Sequence, residues 1–106
     1  MATDPRYVPP DRDHPMPDGG HLHMYNFYGN PNPPKGVAAD RNVHRYSPNG
    51  DLVWIIQPCE RIEGGASSYT WFEPMPNGKL HIHAGDGSVF FLNVDTGEVT
   101  FLEWEK

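Results

Sequence analysis

Asn49-Gly50, Asn77-Gly78, Asp86-Gly87 and Thr96-Gly97 punctuate the second half of the chain. Between them stand aromatic and β-branched runs: NVHRY, DLVWII, SYTWFE, KLHIHA, VFFLNV and VTFLEW. Turn formers recurring at intervals of about ten residues between such runs are the pattern of an antiparallel meander. Asn-Gly is the strongest short hairpin signal, because a type I′ turn needs φ > 0 at both central residues. No segment carries an amphipathic helical stripe, and 12 Pro and 11 Gly in 106 residues work against long helices. The expected fold is all-β: a single antiparallel meander of about seven strands, as an open twisted sheet or a small, partly open barrel.

Upstream of His21 the texture differs. Residues 1–20 hold Pro5, Pro9, Pro10, Pro15 and Pro17 with four Asp, and no apolar period of 2 or 3.6. They read as a Pro/Asp-rich extended or disordered arm, which sets the all-β domain at 21–106. HLHMYNFY is then a strand, GNPNPPKGVAAD a loop, and residues 58–68 (PCERIEGGASS) a wide connection. LVWII is apolar on both parities, so it is expected in the sheet centre with both faces covered. SPNGDLVWI and MPNGKLHIH form a weak internal repeat of turn plus outgoing strand.

Charge narrows the partners. The net charge is −6, and it arises entirely after residue 50, where nine acids face Arg61, Lys79 and Lys106. An acidic surface repels phosphate backbones and anionic headgroups, so nucleic acid and membrane are poor partners. A basic surface on another protein is the better match, with Glu60, Glu63, Glu73, Glu103 and Glu105 as the acidic contacts. The single cysteine, Cys59, fits a reducing compartment, and MATDPRYVPP lacks a basic end followed by an apolar run. The expected location is the cytoplasm.

The residues that carry metal chemistry most readily are two His-x-His pairs, His21 with His23 and His81 with His83. Side chains two apart on a strand share a face, so each pair can offer two imidazoles to zinc or another divalent transition metal. In KLHIHA the apolar residues Leu80, Ile82 and Ala84 point inward, which puts His81 and His83 on the opposite face. Nucleophilic chemistry has less support. Glu60 beside Cys59 raises a thiol pKa, and Ser67-Ser68 lack a Gly-x-Ser-x-Gly setting.

DGSVFFLNVDTGEVTFLEW (Asp86 to Trp104) resembles the end of a blade in quinoprotein-type and other β-propellers, and NVHRYSPNGDLVWII is similar to the same pattern one blade earlier. The grammar is also similar to that of small bacterial single-domain proteins, some of them immunity-type proteins. A closed propeller needs at least about four four-stranded blades, more strands than this chain supplies. With no nucleophile–base pair, phosphate loop or closed metal motif standing out, the acidic second half and this resemblance together point to a non-catalytic interaction or immunity-type inhibitor module with no bound cofactor. A His-based metal-binding protein with hydrolytic chemistry is the rival reading. A homodimer is the expected assembly if a sheet edge is left open, because unpaired edges template pairing.

Overall fold

The computed structural model describes residues 10–27, 35–59 and 67–104. They form eight strands: β1 (Arg12–Pro15), β2 (His21–Met24), β3 (Val43–Tyr46), β4 (Leu52–Ile55), β5 (Tyr69–Pro74), β6 (Leu80–Ala84), β7 (Ser88–Leu92) and β8 (Val99–Trp104). One short 3₁₀ turn, Ala39–Arg41, is the only helical element among the described residues. The fold is all-β, but it is two sheets rather than the one meander expected. Strands β1 to β4 form one four-stranded antiparallel sheet in sequence order, and β5 to β8 form the second. The break falls between β4 and β5.

Within the segment before His21, expected as an arm outside the domain, residues 12–15 form β1 and residues 16–19 the turn that follows it. Arg12, Asp13, His14 and Pro15 pair with Met24, His23, Leu22 and His21. The domain boundary therefore lies upstream of the 20/21 position. Residues 1–9 of the arm lie outside the described residues.

The hairpin tips fall where the sequence places them, with a different turn. Gly19, Gly50, Gly78, Gly87 and Gly97 all have positive φ, and no described non-glycine residue does. Type I′ is therefore excluded at Asn49 and Asn77. Pro48 and Pro76 explain the change: a proline ring holds φ near −65°, which suits the second position of a type I turn. Gly50 N–H donates to Ser47 O and Ser47 N–H to Asp51 O. Gly78 and Met75 repeat this geometry, as do Gly19 and Met16. These are type I turns closed by a left-handed glycine, the usual longer hairpin connection.

The two sheets pack face to face. Leu22, Met24 and Val43 from the first meet Leu80, Ile82, Ala84, Phe90 and Leu92 from the second, with Ile56, Cys59 and Tyr69 in the same core. Asn42 ties them together. It is fully buried; its Nδ2 donates to Tyr25 O and Tyr69 O at 2.8 Å, and its Oδ1 accepts from Tyr69 N–H at 3.0 Å. Arg12 Nε donates to Thr70 O, and Trp54 Nε1 donates to Val94 O. β4 is an edge strand, with Leu52 and Val53 exposed, so LVWII is not the covered central strand its composition suggests.

The tips also reveal how the sheets are related. Pro15-Met16-Pro17-Asp18-Gly19 and Pro74-Met75-Pro76-Asn77-Gly78 are a closer internal repeat than the one read above, each closing the first hairpin of its sheet. In one tip His21 follows opposite Pro15; in the other Leu80 follows opposite Pro74. His21 alternates with core residues and points outward, whereas Leu80 is itself core. Equivalent backbone positions thus face opposite ways, and the two sheets meet through unlike faces.

Candidate functional site

Both His-x-His pairs face away from the core, one on each outer surface. Leu22 and Met24 flank His23 inward, and Leu80, Ile82 and Ala84 alternate with His81 and His83. The alternation read from KLHIHA therefore holds. The consequence is that His21 and His23 are separated from His81 and His83 by two sheets, and no four-imidazole centre forms. The second run begins one residue later after its tip glycine than the first, and a one-residue offset exchanges the faces of a strand. That offset leaves both pairs outside.

On the first sheet a carboxylate joins the pair. Asp13 stands directly across from His23 in the β1–β2 ladder, and His21 is two residues along on the same face. His21 Nδ1 lies 2.9 Å from Asp13 Oδ1, and His23 Nε2 lies 3.6 Å from that oxygen. Aromatic rings line the floor: His23 packs 5.1 Å from Tyr46 and meets Tyr25 edge-on at 6.3 Å, and His44 meets Tyr25 edge-on. Burial holds the His23 pKa below its ordinary value, against the pull of Asp13. His44 is driven further, to about 4, by burial first and then by His23 and Arg41. A tight approach fixes the hairpin on its neighbour: a Cβ at Gly20 would fall 2.3 Å from Tyr46 O, so only glycine lets the tip lie there.

On the second sheet the ingredients recur in another arrangement. Glu73 faces His81 across the β5–β6 ladder. Its Oε1 bonds His83 Nε2 at 2.9 Å and stands 3.9 Å from His81 Nδ1. His83 is buried beneath Trp71, the ring centroids 5.1 Å apart. Of the other acidic candidates, Glu103 is exposed on β8, while Glu60, Glu63 and Glu105 lie outside the described residues.

Sequence reading missed two other features. The first is a cleft of about 630 Å³ between the tips of the two sheets, with Met16, Met75 and Leu80 among its apolar walls and Arg45 in its lining. Arg45 is spent on Val94 O and on Asp18, whose carboxyl is held below the usual range chiefly by Gly20 N–H. The matching Pro-Met-Pro tips were the signal for it. The second is the apolar edge. Phe101, Leu102 and Trp104 on β8 are 36%, 43% and 41% exposed, and β8 ends its sheet. Cys59, by contrast, is buried, and burial pushes its thiol up to about 12, which removes it as a nucleophile at neutral pH.

No protein family, curated protein or solved structure matches this chain. Among the described residues no helix is long and apolar enough to cross a membrane.

Proposed function

We propose that this protein is a non-catalytic protein-binding module that engages its partner along β8. The observation that carries this is the exposure of Phe101, Leu102 and Trp104 on a six-residue strand at the edge of its sheet. An exposed apolar edge without proline is a template for strand addition by another chain. Phe101 and Trp104 stack edge-on at 5.7 Å, and Phe101 rests on Phe90 of the core, so both rings are held in place before contact. Rigid aromatic anchors lose little entropy on binding.

Glu103 sits between these anchors and supports a partner with a basic surface. The mechanism is occlusion: the partner's strand pairs with β8, the rings desolvate, and acids at the rim set orientation. An interaction or immunity-type role in a bacterial cytoplasm is the form of this reading that the sequence resemblance to propeller blades and small bacterial proteins implies. A second copy of this chain pairing β8 to β8 is the homodimeric form of the same surface.

The test is a paired substitution, Leu102→Lys with Trp104→Ala, at exposed positions where the fold tolerates change. A specific protein retained from lysate by the wild type and released by rising salt is expected to escape the variant. A far-UV circular dichroism spectrum unchanged between the two shows that the fold persists. Equal retention by both chains removes β8 from the interface.

A further inference from the structure

We propose that Asp13, His21 and His23 form a binding site for a zinc-class divalent cation on the outer face of the first sheet. One ligand atom from each residue lies within 4.8 Å of the other two, and this is the one such group found among the described residues. Tetrahedral zinc with bonds of about 2.0–2.1 Å sets its ligand atoms roughly 3.3–3.4 Å apart. The distances of 2.9 Å and 3.6 Å from Asp13 Oδ1 to the two imidazoles bracket that spacing. Small rotations of Asp13 and His21, the more exposed members of the three, close the remainder. The β1–β2 ladder supplies the geometry, since it holds Asp13 opposite His23 with the backbone already paired.

The donor set defines the cation. Two imidazoles and one carboxylate suit zinc, cobalt or nickel, whereas calcium and magnesium require mostly oxygen. Three protein ligands leave a fourth position for water or for a group brought by another molecule. A cleft lined by His21, His23, Tyr46 and the Ser47–Gly50 tip lies beside the cluster and admits such a group. The same face is short of polar contacts: His23 Nδ1 and His44 Nε2 are buried without a hydrogen-bond partner.

The second sheet provides the control within the molecule. Glu73, His81 and His83 supply the same functional groups, one carboxylate and two imidazoles, and they do not form a group of this kind among the described residues. Glu73 Oε1 is committed to buried His83 and stands 3.9 Å from His81. Zinc should therefore distinguish the two faces.

Calorimetric titration of the tag-free, metal-stripped chain with zinc is expected to show one ion per chain, at a dissociation constant of about 1 μM or tighter. Asp13→Asn and His21→Ala should each weaken binding by at least about tenfold, as loss of a direct ligand does. His81→Ala and Glu73→Gln should leave it within about twofold. Titration with cobalt(II) supplies a readout on the unaltered chain: an intense tetrahedral visible spectrum is expected, which zinc displaces. Absence of saturable binding, tight binding by Asp13→Asn and His21→Ala, or loss on His81→Ala instead each overturns the site. A weak octahedral cobalt spectrum does the same, leaving only adventitious surface histidines.

Discussion

Two hairpins carry the same ingredients, a carboxylate on the first strand and His-x-His on the second, and only one gathers them. In β1–β2 the short Asp13 side chain sits between both imidazoles. In β5–β6 the longer Glu73 bonds the diagonal histidine, His83, which Trp71 has already buried. The first face is a cluster with reach to spare; the second is a closed ion pair roofed by an indole. Composition does not separate them. Register and the size of a neighbour do, and both are properties of pairing rather than of motif.

The comparison breaks most severely if the two sheets come apart. Asn42→Ala removes three side-chain hydrogen bonds, one to Tyr25 O after β2 and two to Tyr69 at the start of β5, and takes from the buried Tyr69 carbonyl and N–H the partners they have in Asn42. At about 1–3 kcal/mol for each orphaned group, partly relieved by water, a loss of about 3–5 kcal/mol is expected in urea unfolding. That is a large share of a domain's total of about 5–15 kcal/mol. A loss below about 1 kcal/mol would show that the sheets hold together without Asn42.

Proton uptake offers a gentler cut, confined to the first face. The folded pKa of His44 is depressed to about 4 from 6.5, so below pH 6.5 the unfolded chain binds a proton that the folded chain refuses. Its contribution is complete above about 6.5 and is lost as pH falls toward 4, with a slope of at most about 1.4 kcal/mol per unit. His23, shifted in the same direction, adds to it. In chelator-treated samples the stability of wild type minus His44→Gln should fall across that window. A flat difference would mean that His44 titrates alike in both states.

The smallest effect compares two glycines of nearly equal φ. Gly78, at 80°, has open space where a Cβ would stand, while at Gly97, at 81°, a Cβ would meet the Trp54 ring at 2.8 Å. Alanine at either site incurs the left-handed cost of about 1–2 kcal/mol. Gly97→Ala should cost roughly 1 kcal/mol more, because Trp54 must shift and its bond to Val94 O with it. Equal thermal shifts would indicate that the contact of β4 with the β7–β8 turn yields freely.

Much of this architecture is legible in the chain. Glycine at 50, 78, 87 and 97 marks every tip of the second sheet and one of the first, and the alternation in KLHIHA assigns both faces of β6. The remainder depends on contacts between distant residues. Arg12–Pro15 is polar and ends in proline, so nothing local announces a strand; pairing to β2 creates it. Asp13 acquires its role from the same ladder, which is why the histidines are readable as candidates and their carboxylate is not. β4 misleads in the other direction. Its apolar run matches a central strand, yet the chain leaves the sheet after Ile55, and Leu52 and Val53 stay at the edge.

The meeting of the sheets through unlike faces has a consequence for assembly symmetry. A two-fold contact consumes both copies of a surface and is finished, whereas a head-to-tail contact leaves one surface of each kind at either end. What ends this stack is side-chain chemistry, as polar outer faces cap the terminal units of repeat proteins. Where the first sheet places His14 and Leu22 in the interface, the second presents Glu73 and His81 at the equivalent backbone positions. Leucine at those two positions would turn a cap into a cohesive end, and molecules joined in that sense would grow as fibres or curve shut into rings.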